Sequence, residues 1–310
     1  MFINLKFKTI QIVLAVLYFI IIPLSVDAFS ISPPILEFEA NPGETVRTNI
    51  RVQNTSDANK IYAFTIQKFI SKGGLGQQEF LPPTETDGLP EWLYFDRPLL
   101  ELEPGESYDL PIVIRVPMDA KSGGHFVAVL FAEQAELSRG AVGIVPRTGT
   151  LIFLTVRGNV LKSFEIESFL SSPVSPSHLP IDFSANLSNT GNVHIRPEGR
   201  LRITNMFGNT VASYPLNPSG ARILPASRRS FQIAWENKDT LKKGYFSELR
   251  EEFRNFGFGK YSAELTIKVG TIERTVVHEL WIWPWRIIVF SGVLLVAVLS
   301  IFVMRKRMIS

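Results

Sequence analysis

Residues 41–57 read NPGETVRTNIRVQNTSD. Asn41-Pro42-Gly43-Glu44 is a turn signal, and Asn54-Thr55-Ser56-Asp57 is another, because Asn, Asp, Gly and Pro meet the dihedral demands of tight turns. Between them, Thr45 to Val52 alternates with period two, so Val46, Ile50 and Val52 share one face and Arg47 and Arg51 the other. A short strand bounded by turns at this spacing is the repeating unit of an antiparallel β-sandwich.

The same pattern extends outward. Ile61 to Ile66 and Leu110 to Val116 alternate, whereas His125 to Phe131 and Gly149 to Val156 are more continuously apolar. Glu103-Pro104-Gly105-Glu106 and Lys121-Ser122-Gly123-Gly124 punctuate them, and no sustained helical period occurs before residue 244. The second half repeats the order. Leu187-Ser188-Asn189-Thr190-Gly191-Asn192 matches Val52 to Asp57, and Leu224-Pro225-Ala226-Ser227 matches Glu103 to Glu106 ahead of a strand at Ser230 to Trp235. Gly259 to Leu265 is aligned with Gly124 to Leu130. Three anchors in one order predict an all-β chain of two tandem immunoglobulin-like β-sandwiches, 29–160 and 161–280, with the boundary near Asn159 to Ser163. At about 120 residues each, they are large enough to bury a core without disulfides. Phe64, Trp92 and Phe126 are core candidates in the first, and Phe183, Phe231 and Trp235 in the second.

Composition narrows the function classes. Of 310 residues, 45% are hydrophobic and 20% charged, which fits packed domains and not a disordered chain. Cysteine is absent, which removes disulfides, thiolate metal sites and cysteine nucleophiles. The four histidines, His125, His178, His194 and His278, are far apart and form no metal-binding motif. The net charge of +3 comes from the ends: +1 in residues 1–28 and +4 in 285–310 leave the stretch between them at −2. A nucleic-acid partner therefore lacks its basic face.

The ends predict membrane targeting. Residues 1–28 have a basic start at Lys6 and Lys8, an apolar run from Ile10 to Ile22 and a cleavage pattern at Val26-Asp27-Ala28, the layout of a secretory signal peptide. Residues 287–304 carry no charge, Trp281, Trp283 and Trp285 precede them as an interfacial aromatic belt, and Arg305, Lys306 and Arg307 follow. The expectation is a single-pass membrane protein at the cell membrane. Its span is 285–304, its cytoplasmic tail 305–310, and its bulk lies outside the cytoplasm.

The motifs ISPP-x-L-x-F, NPGE and VQNTSD in residues 31–57, PEW at 90–92, LEPGE at 102–106, GGHFVAVLF at 123–131 and VPRTGTLIFLTV at 145–156 resemble the extracellular part of WxL-interacting bacterial surface proteins. The resemblance covers the layout of nearly the whole chain, and its motifs are more specific in the first domain than in the second. It implies a cell-envelope protein whose first domain contacts peptidoglycan and whose second contacts another surface protein. A long insertion in the second domain departs from that pattern. The N-terminal stretch also faintly resembles periplasmic pilus chaperones.

No catalytic constellation emerges. There is no GxSxG, and the carboxylates sit in turns and on strand faces. No enzyme activity, cofactor or metal is expected. His125 reads as a polar strand-entry residue after Gly123-Gly124. The Gly- and Pro-rich segment Ser71 to Pro90, with Glu79, Glu85 and Asp87, matches no calcium loop and reads as a solvated loop. Residues 244–258 predict a short amphipathic helix with Phe246, Leu249, Phe253 and Phe256 on one face, packed on its own sandwich or offered to a partner. The sequence thus reads as a binding or scaffold protein of the envelope. The alternatives are a chaperone-like assembly factor that adds a β-strand to its clients, and a hydrolase with its site between the domains.

Overall fold

In a computed structural model of the chain, the structure describes residues 29–134, 146–172, 179–236 and 257–309; the side chains of 302, 303 and 305–309 fall outside that description. The expected signal peptide (1–28) and the expected helix face Phe246, Leu249, Phe253 and Phe256 lie outside the described residues.

The first sandwich is built from β1 (Phe29–Ser32), β2 (Ile35–Ala40), β3 (Thr45–Asn54), β4 (Lys60–Lys72), β5 (Gln77–Phe80), β6 (Leu93–Phe95), β7 (Leu99–Leu102), β8 (Ser107–Arg115), β9 (Gly123–Glu133) and β10 (Thr148–Val156). One sheet runs β1-β3-β8-β6, and the facing sheet runs β2-β10-β9-β4-β5, with β7 also on β4. The alternation read in 45–52 is realised: Ile50 and Val52 are fully buried, as are Leu110, Ile112 and Ile114 on the paired β8. They meet Val127, Val129, Phe131, Ile152, Leu154 and Val156 from the other sheet. A short helix, α1 (Leu89–Trp92), closes one end with Trp92 buried. The expected loop at Ser71 to Pro90 contains strand β5 instead, because the chain turns back at once and Phe80 pairs with Phe69.

One pairing departs from an antiparallel sandwich. β1 lies antiparallel to β3, and β2 runs parallel to β10 with Glu37 opposite Phe153. Pro33 and Pro34 stand between β1 and β2 and lack the N–H groups that would continue the first ladder. Their carbonyls are taken up across the gap, Pro33 by the Thr150 hydroxyl at 2.8 Å and Pro34 by the Leu151 N–H at 3.0 Å. The chain therefore crosses from one sheet to the other here.

The second sandwich comprises β11 (Phe164–Ser172), β12 (Ile181–Asn189), β13 (Glu198–Asn205), β14 (Thr210–Pro215), β15 (Arg228–Trp235), β16 (Gly259–Val269) and β17 (Ile272–Ile282). Its sheets are β11-β12-β15 and β14-β13-β16-β17. Phe183, Phe231 and Trp235 enter its core with Leu201, Leu265 and Ile282. The chain is thus an all-β fold of two immunoglobulin-like sandwiches.

The repeated motifs have one physical cause. Asn54, fully buried, donates from Nδ2 to the carbonyls of Ala58, Leu102 and Glu103 at 2.8–3.1 Å, and its Oδ1 accepts from the Ser56 N–H. Asn189 does the same in the second sandwich: Nδ2 donates to the carbonyls of Val193 and Ile223, and Oδ1 accepts from the Gly191 N–H. Each asparagine ties the turn after its strand to the loop at the Pro-Gly or Pro-Ala motif. The third anchor needs a one-residue correction. Gly259 opens β16 at φ +100° as Gly123 opens β9 at φ +129°, and Ala263 and Leu265 face inward as Val127 and Val129 do. Gly259 therefore matches Gly123 and not Gly124; a one-residue slip would turn every core side chain outward.

Trp285–Ile309 forms a single helix, α2, of 25 residues. The membrane assignment is corrected here: among the described residues, no helix is long and apolar enough to cross a membrane. The single-pass topology and the cell-membrane localisation built on it do not stand.

Candidate functional site between the two sandwiches

The continuously apolar strands β9 and β10 have two buried faces. Val127, Val129, Ile152 and Leu154 point into the first sandwich, and Phe69, Ala128, Leu130 and Phe153 form a second cluster on the outer face of the same sheet. Leu224 of the second sandwich packs into that outer cluster, beside the partly buried Phe126 and Leu151. Phe126, a core candidate from sequence, thus belongs to the contact between sandwiches and not to the first core. Burial on both faces is why these strands do not alternate.

Polar contacts fix the contact. The Gly124 N–H donates to the Asn192 carbonyl at 2.9 Å. Asn192 holds the connecting segment, accepting from the Leu161 N–H at 2.7 Å and donating to the Asn159 carbonyl at 2.7 Å. On the far side, the Ser230 N–H at the free edge of β15 donates to Gly74 in the β4–β5 turn at 2.6 Å.

Glu37 stands at the centre. On β2 its side chain faces outward beside Phe153. One carboxylate oxygen accepts from Arg222 at 2.6 and 3.2 Å, and the other is bound to His194 Nε2. The His194 ring is 8% exposed and meets Phe153 and Phe126 edge-on, at 4.9 and 5.8 Å between centroids. With Nε2 donating to a carboxylate, Nδ1 is the bare ring nitrogen, and it is buried without a partner. Burial raises the Glu37 carboxyl, but the hydrogen bonds and charges of Arg222 and His194 outweigh this and hold it below its ordinary value. Burial pulls the His194 ring below its ordinary value, against the raising effect of Glu37, and the charges of Arg222 and Lys162 add to the lowering.

Beside this cluster a cavity of about 270 Å³ opens between the sandwiches. Its apolar wall is Ile35, Phe69, Leu151, Phe153 and Leu224; Ser71, Gln77, Gln78 and Ser219 contribute hydrogen-bonding groups, and Arg222 and Arg229 contribute charge. Among the described residues, no Asp or Glu lines it.

A second groove, about 630 Å³, lies on the first sandwich between α1 and the start of β9. His125 sits there with its ring 4.7 Å from that of Trp92, its Nε2 2.9 Å from the Lys121 carbonyl. Two carboxylates of the Ser71–Pro90 segment are held in separate ion pairs: Glu79 pairs with Lys72 and Asp87 with Lys68, each at 2.8 Å. Among the described residues, no group of three or more His, Asp or Glu side chains is arranged to hold a metal.

Trp281, Trp283 and Trp285 are each about half exposed. The rings of Trp281 and Trp283 stack at 6.0 Å, Phe258 meets Trp283 edge-on at 5.5 Å, and Arg286 covers Trp285 at 4.8 Å. Arg305, Lys306 and Arg307 belong to α2, and their side chains lie outside the described residues. Sequence reasoning did not single out Glu37, His194, Arg222 or Arg229. The usable signal was the uninterrupted apolar character of 125–131 and 149–156, which demands a cover on the outer face.

No family model matches the chain, and no curated relative matches it. Solved structures of similar fold include the class 5 fimbriae chaperone CfaA, at 14% identity over 82% of this chain and 99% of that one, with a TM-score of 0.38. The CupB2 chaperone of Pseudomonas aeruginosa is 13% identical over 81% of this chain and 98% of that one, with a TM-score of 0.36. The E. coli chaperone DraB is 13% identical over 82% of this chain and 97% of that one, with a TM-score of 0.34. None of these superpositions is close enough to assign a function.

Proposed function

We propose that the protein is a non-enzymatic, chaperone-like binding protein that seats a segment of another protein in the cleft between its sandwiches. The carrying observation is the cavity itself: an apolar wall, dispersed hydrogen-bonding groups and two arginines, built on an interface pinned from three sides. A few placed polar groups on a mostly apolar wall is the usual composition of a binding site. Among the described residues, no Asp or Glu lines the cavity, so none supplies it with a hydrolytic pair of carboxylates. Strand addition to β10 is closed along Leu151–Val156, where β2 is the end strand of the sheet; the cleft offers side-chain pockets instead. The test is selection from a library of displayed ten-residue peptides on the immobilised protein. Enriched peptides are expected to lose binding to Ser219→Trp, which places an indole at the exposed rim of the cavity, and to Ile35→Lys. Enrichment that neither variant weakens would overturn the reading.

A second reading is supported by the first-domain groove. PEW at 90–92 and Gly124, His125 and Phe126 of GGHFVAVLF, two motifs of the WxL-interacting resemblance, line one groove although some thirty residues separate them. Contact with cell-wall glycan there predicts that the protein pellets with isolated sacculi, and that Glu91→Lys with Lys121→Glu weakens pelleting. Equal pelleting of both forms would count against it.

A further inference from the structure

We infer that the outer face of the β1-β3-β8-β6 sheet docks an acidic, extended segment of another protein, with Arg47 and Arg115 as its two cationic contacts. This face is on the opposite side of the first sandwich from the cleft, and the inference does not rest on the cleft reading.

The first sandwich is acidic as a whole. Residues 29–160 hold 11 Lys and Arg against 16 Asp and Glu, a net −5. Its two outer faces differ. One is laid against the second sandwich through Phe69, Leu130 and Leu224. On the other, the outward positions of β3, β6 and β8 carry Arg47, Arg51 and Arg115 against Asp109, all exposed. An acidic domain thus turns basic on the face that no other part of the described chain covers. Two of the three arginines are unspent. Arg51 gives Asp109 two hydrogen bonds, at 2.7 and 2.8 Å. Arg47 and Arg115 meet no carboxylate among the described residues, and the Arg115 guanidinium lies over the Tyr94 ring instead, at 4.5 Å. Neighbouring acids are engaged elsewhere: Glu44 accepts from the Asn41 N–H and side-chain amide, and Asp96 accepts from the Tyr108 hydroxyl at 2.7 Å.

Register fixes the layout. Arg47 on β3 stands opposite Val113 on β8, and Val113 stands opposite Tyr94 on β6. Strands ~4.8 Å apart place Arg47 and Tyr94 about 10 Å from each other across the sheet. The cation–π contact draws Arg115 to the Tyr94 side. Two cations therefore flank an apolar floor of Val113, with exposed Pro111 beside it on β8. Guanidinium forks match carboxylates and phosphates alike. The floor between them favours a peptide, which can cover Val113 and Pro111 with an apolar side chain and the methylene stems of Glu; a phosphate polymer has nothing apolar to place there. In an extended segment, alternate side chains share one face ~7 Å apart. Glu-x-Val-x-Glu thus presents acid, apolar and acid groups in the order in which the sheet presents Arg47, Val113 and Arg115. The segments of this chain outside the described residues do not supply the acid: 1–28 and 237–256 each sum to +1, and 135–145 and 173–178 are neutral.

The experiment uses the full chain and the peptide N-acetyl-Gly-Glu-Thr-Val-Thr-Glu-Gly amide. The same peptide with Gln, or with Lys, in place of both Glu residues and inorganic tripolyphosphate are the comparison probes. Binding is read from the amide shifts of Tyr94 and Val113 and the Nε–H shifts of Arg47 and Arg115. The Glu peptide is expected to bind at least fivefold more tightly than the Gln peptide, the scale of two exposed charge pairs, and to lose that margin in high salt. Arg47→Gln with Arg115→Gln is expected to abolish the margin. Arg47→Glu with Arg115→Glu is expected to move the preference to the Lys peptide, a reversal that unfolding does not produce. Arg202→Gln, an exposed control on β13, and Ile35→Lys, on the cleft wall, leave the margin intact, so failure here and failure of the cleft reading are separate results. Equal binding of the Glu and Gln peptides, or no binding of either at millimolar concentration, overturns the inference. So does a margin that survives the paired Gln variant. Tripolyphosphate that moves the same amides at lower concentration than the Glu peptide overturns the choice of a peptide. Self-association of the parent that the paired Gln variant abolishes overturns it in favour of a second copy of this chain.

Discussion

Replacing Asn54 tests whether a single buried amide holds the first sandwich's turn. Its Nδ2 serves three carbonyls, and of these the Leu102 carbonyl is wholly buried. Its Oδ1 accepts from the Ser56 N–H and hydroxyl and from the Tyr62 hydroxyl at 3.1 Å. Alanine removes all of these. With one buried carbonyl stranded and several partly buried bonds returned to water, the expected loss is about 2–4 kcal/mol. Aspartate is the sharper test. It is isosteric and keeps the acceptor side, but it turns the donor toward three carbonyls into a second acceptor. Asn54→Asp is therefore expected to be less stable than Asn54→Ala at pH 7. The native carboxyl is also raised by its oxygen neighbours, so the folded state holds a proton that the unfolded state releases. Asn54→Asp accordingly regains stability as pH falls toward the ordinary carboxylate range, which alanine does not. Hydrogen-exchange mass spectrometry follows each sandwich separately through its own amides, with protection in β3 and β8 as the readout. Asn54→Asp equal to or more stable than Asn54→Ala at pH 7 would refute the assignment of Nδ2 as the working donor.

Two further outcomes follow from the contact between sandwiches. His194 is faced by Glu37 from β2, by the charges of Arg222 and Lys162, and by the rings of Phe126 and Phe153. Because its pKa is lowered on docking, the separated state takes up a proton that the docked state refuses. Docking is thus complete above the ordinary histidine value of about 6.5 and weakens as pH falls below it. The Glu37 contribution, also from a lowered pKa, persists until pH drops below the ordinary carboxylate range. Amide protection at Phe126–Leu130 is expected to fall between pH 7.5 and 5.5, and to become flat in His194→Asn; an unchanged pH dependence in that variant would sink the argument. Gly191→Ala places a Cβ against the backbone of Leu161 and Ser163, which cannot yield as a flexible side chain would. A cost of roughly 1–3 kcal/mol is expected, concentrated in the connecting segment; parent-like exchange there would show that the segment shifts freely.

Residues 41–57 were legible because each feature in them is local. Alternation set the inward face of β3, and the turn residues set its ends. Asn54 and Asn189 were legible as a repeat, although their role as amide clamps was not, since it depends on carbonyls up to 49 residues away. The register of the third anchor was misread by one, because Gly123 and Gly124 are equivalent as letters and only the positive φ with the inward pattern separates them from one another. The parallel β2–β10 pair was not legible either, since it is a long-range choice made where Pro33 and Pro34 interrupt one ladder. For the site, nothing in the spacing of Glu37, His194, Arg222 and Arg229 brings them together. They converge because one end of the second sandwich, carrying His194 and Arg222 in loops and Arg229 at the start of β15, is laid on the outer face of the sheet that holds β2, β9 and β10.

Strand β2 links these observations. Its inward set, Leu36 and Phe38 with fully buried Ala40, finishes the first core, and its outward set, Ile35, Glu37 and Glu39, faces the other way by the same period of two. Pairing β2 with β10 covers the β10 edge along Leu151–Val156 and makes β2 the end strand of its sheet. The same pairing aims Glu37 at His194 and Arg222 and leaves Ile35 on the cavity wall. Closing the edge and building the cleft are therefore one structural event. A partner meets fewer open backbone groups at β10 and more side-chain chemistry between the sandwiches. In the proposed cleft, selectivity is expected to follow the apolar wall and to depend little on backbone pairing at β10. A partner whose binding survives N-methylation of its backbone but is lost in Ile35→Lys would have the behaviour expected of the proposed cleft.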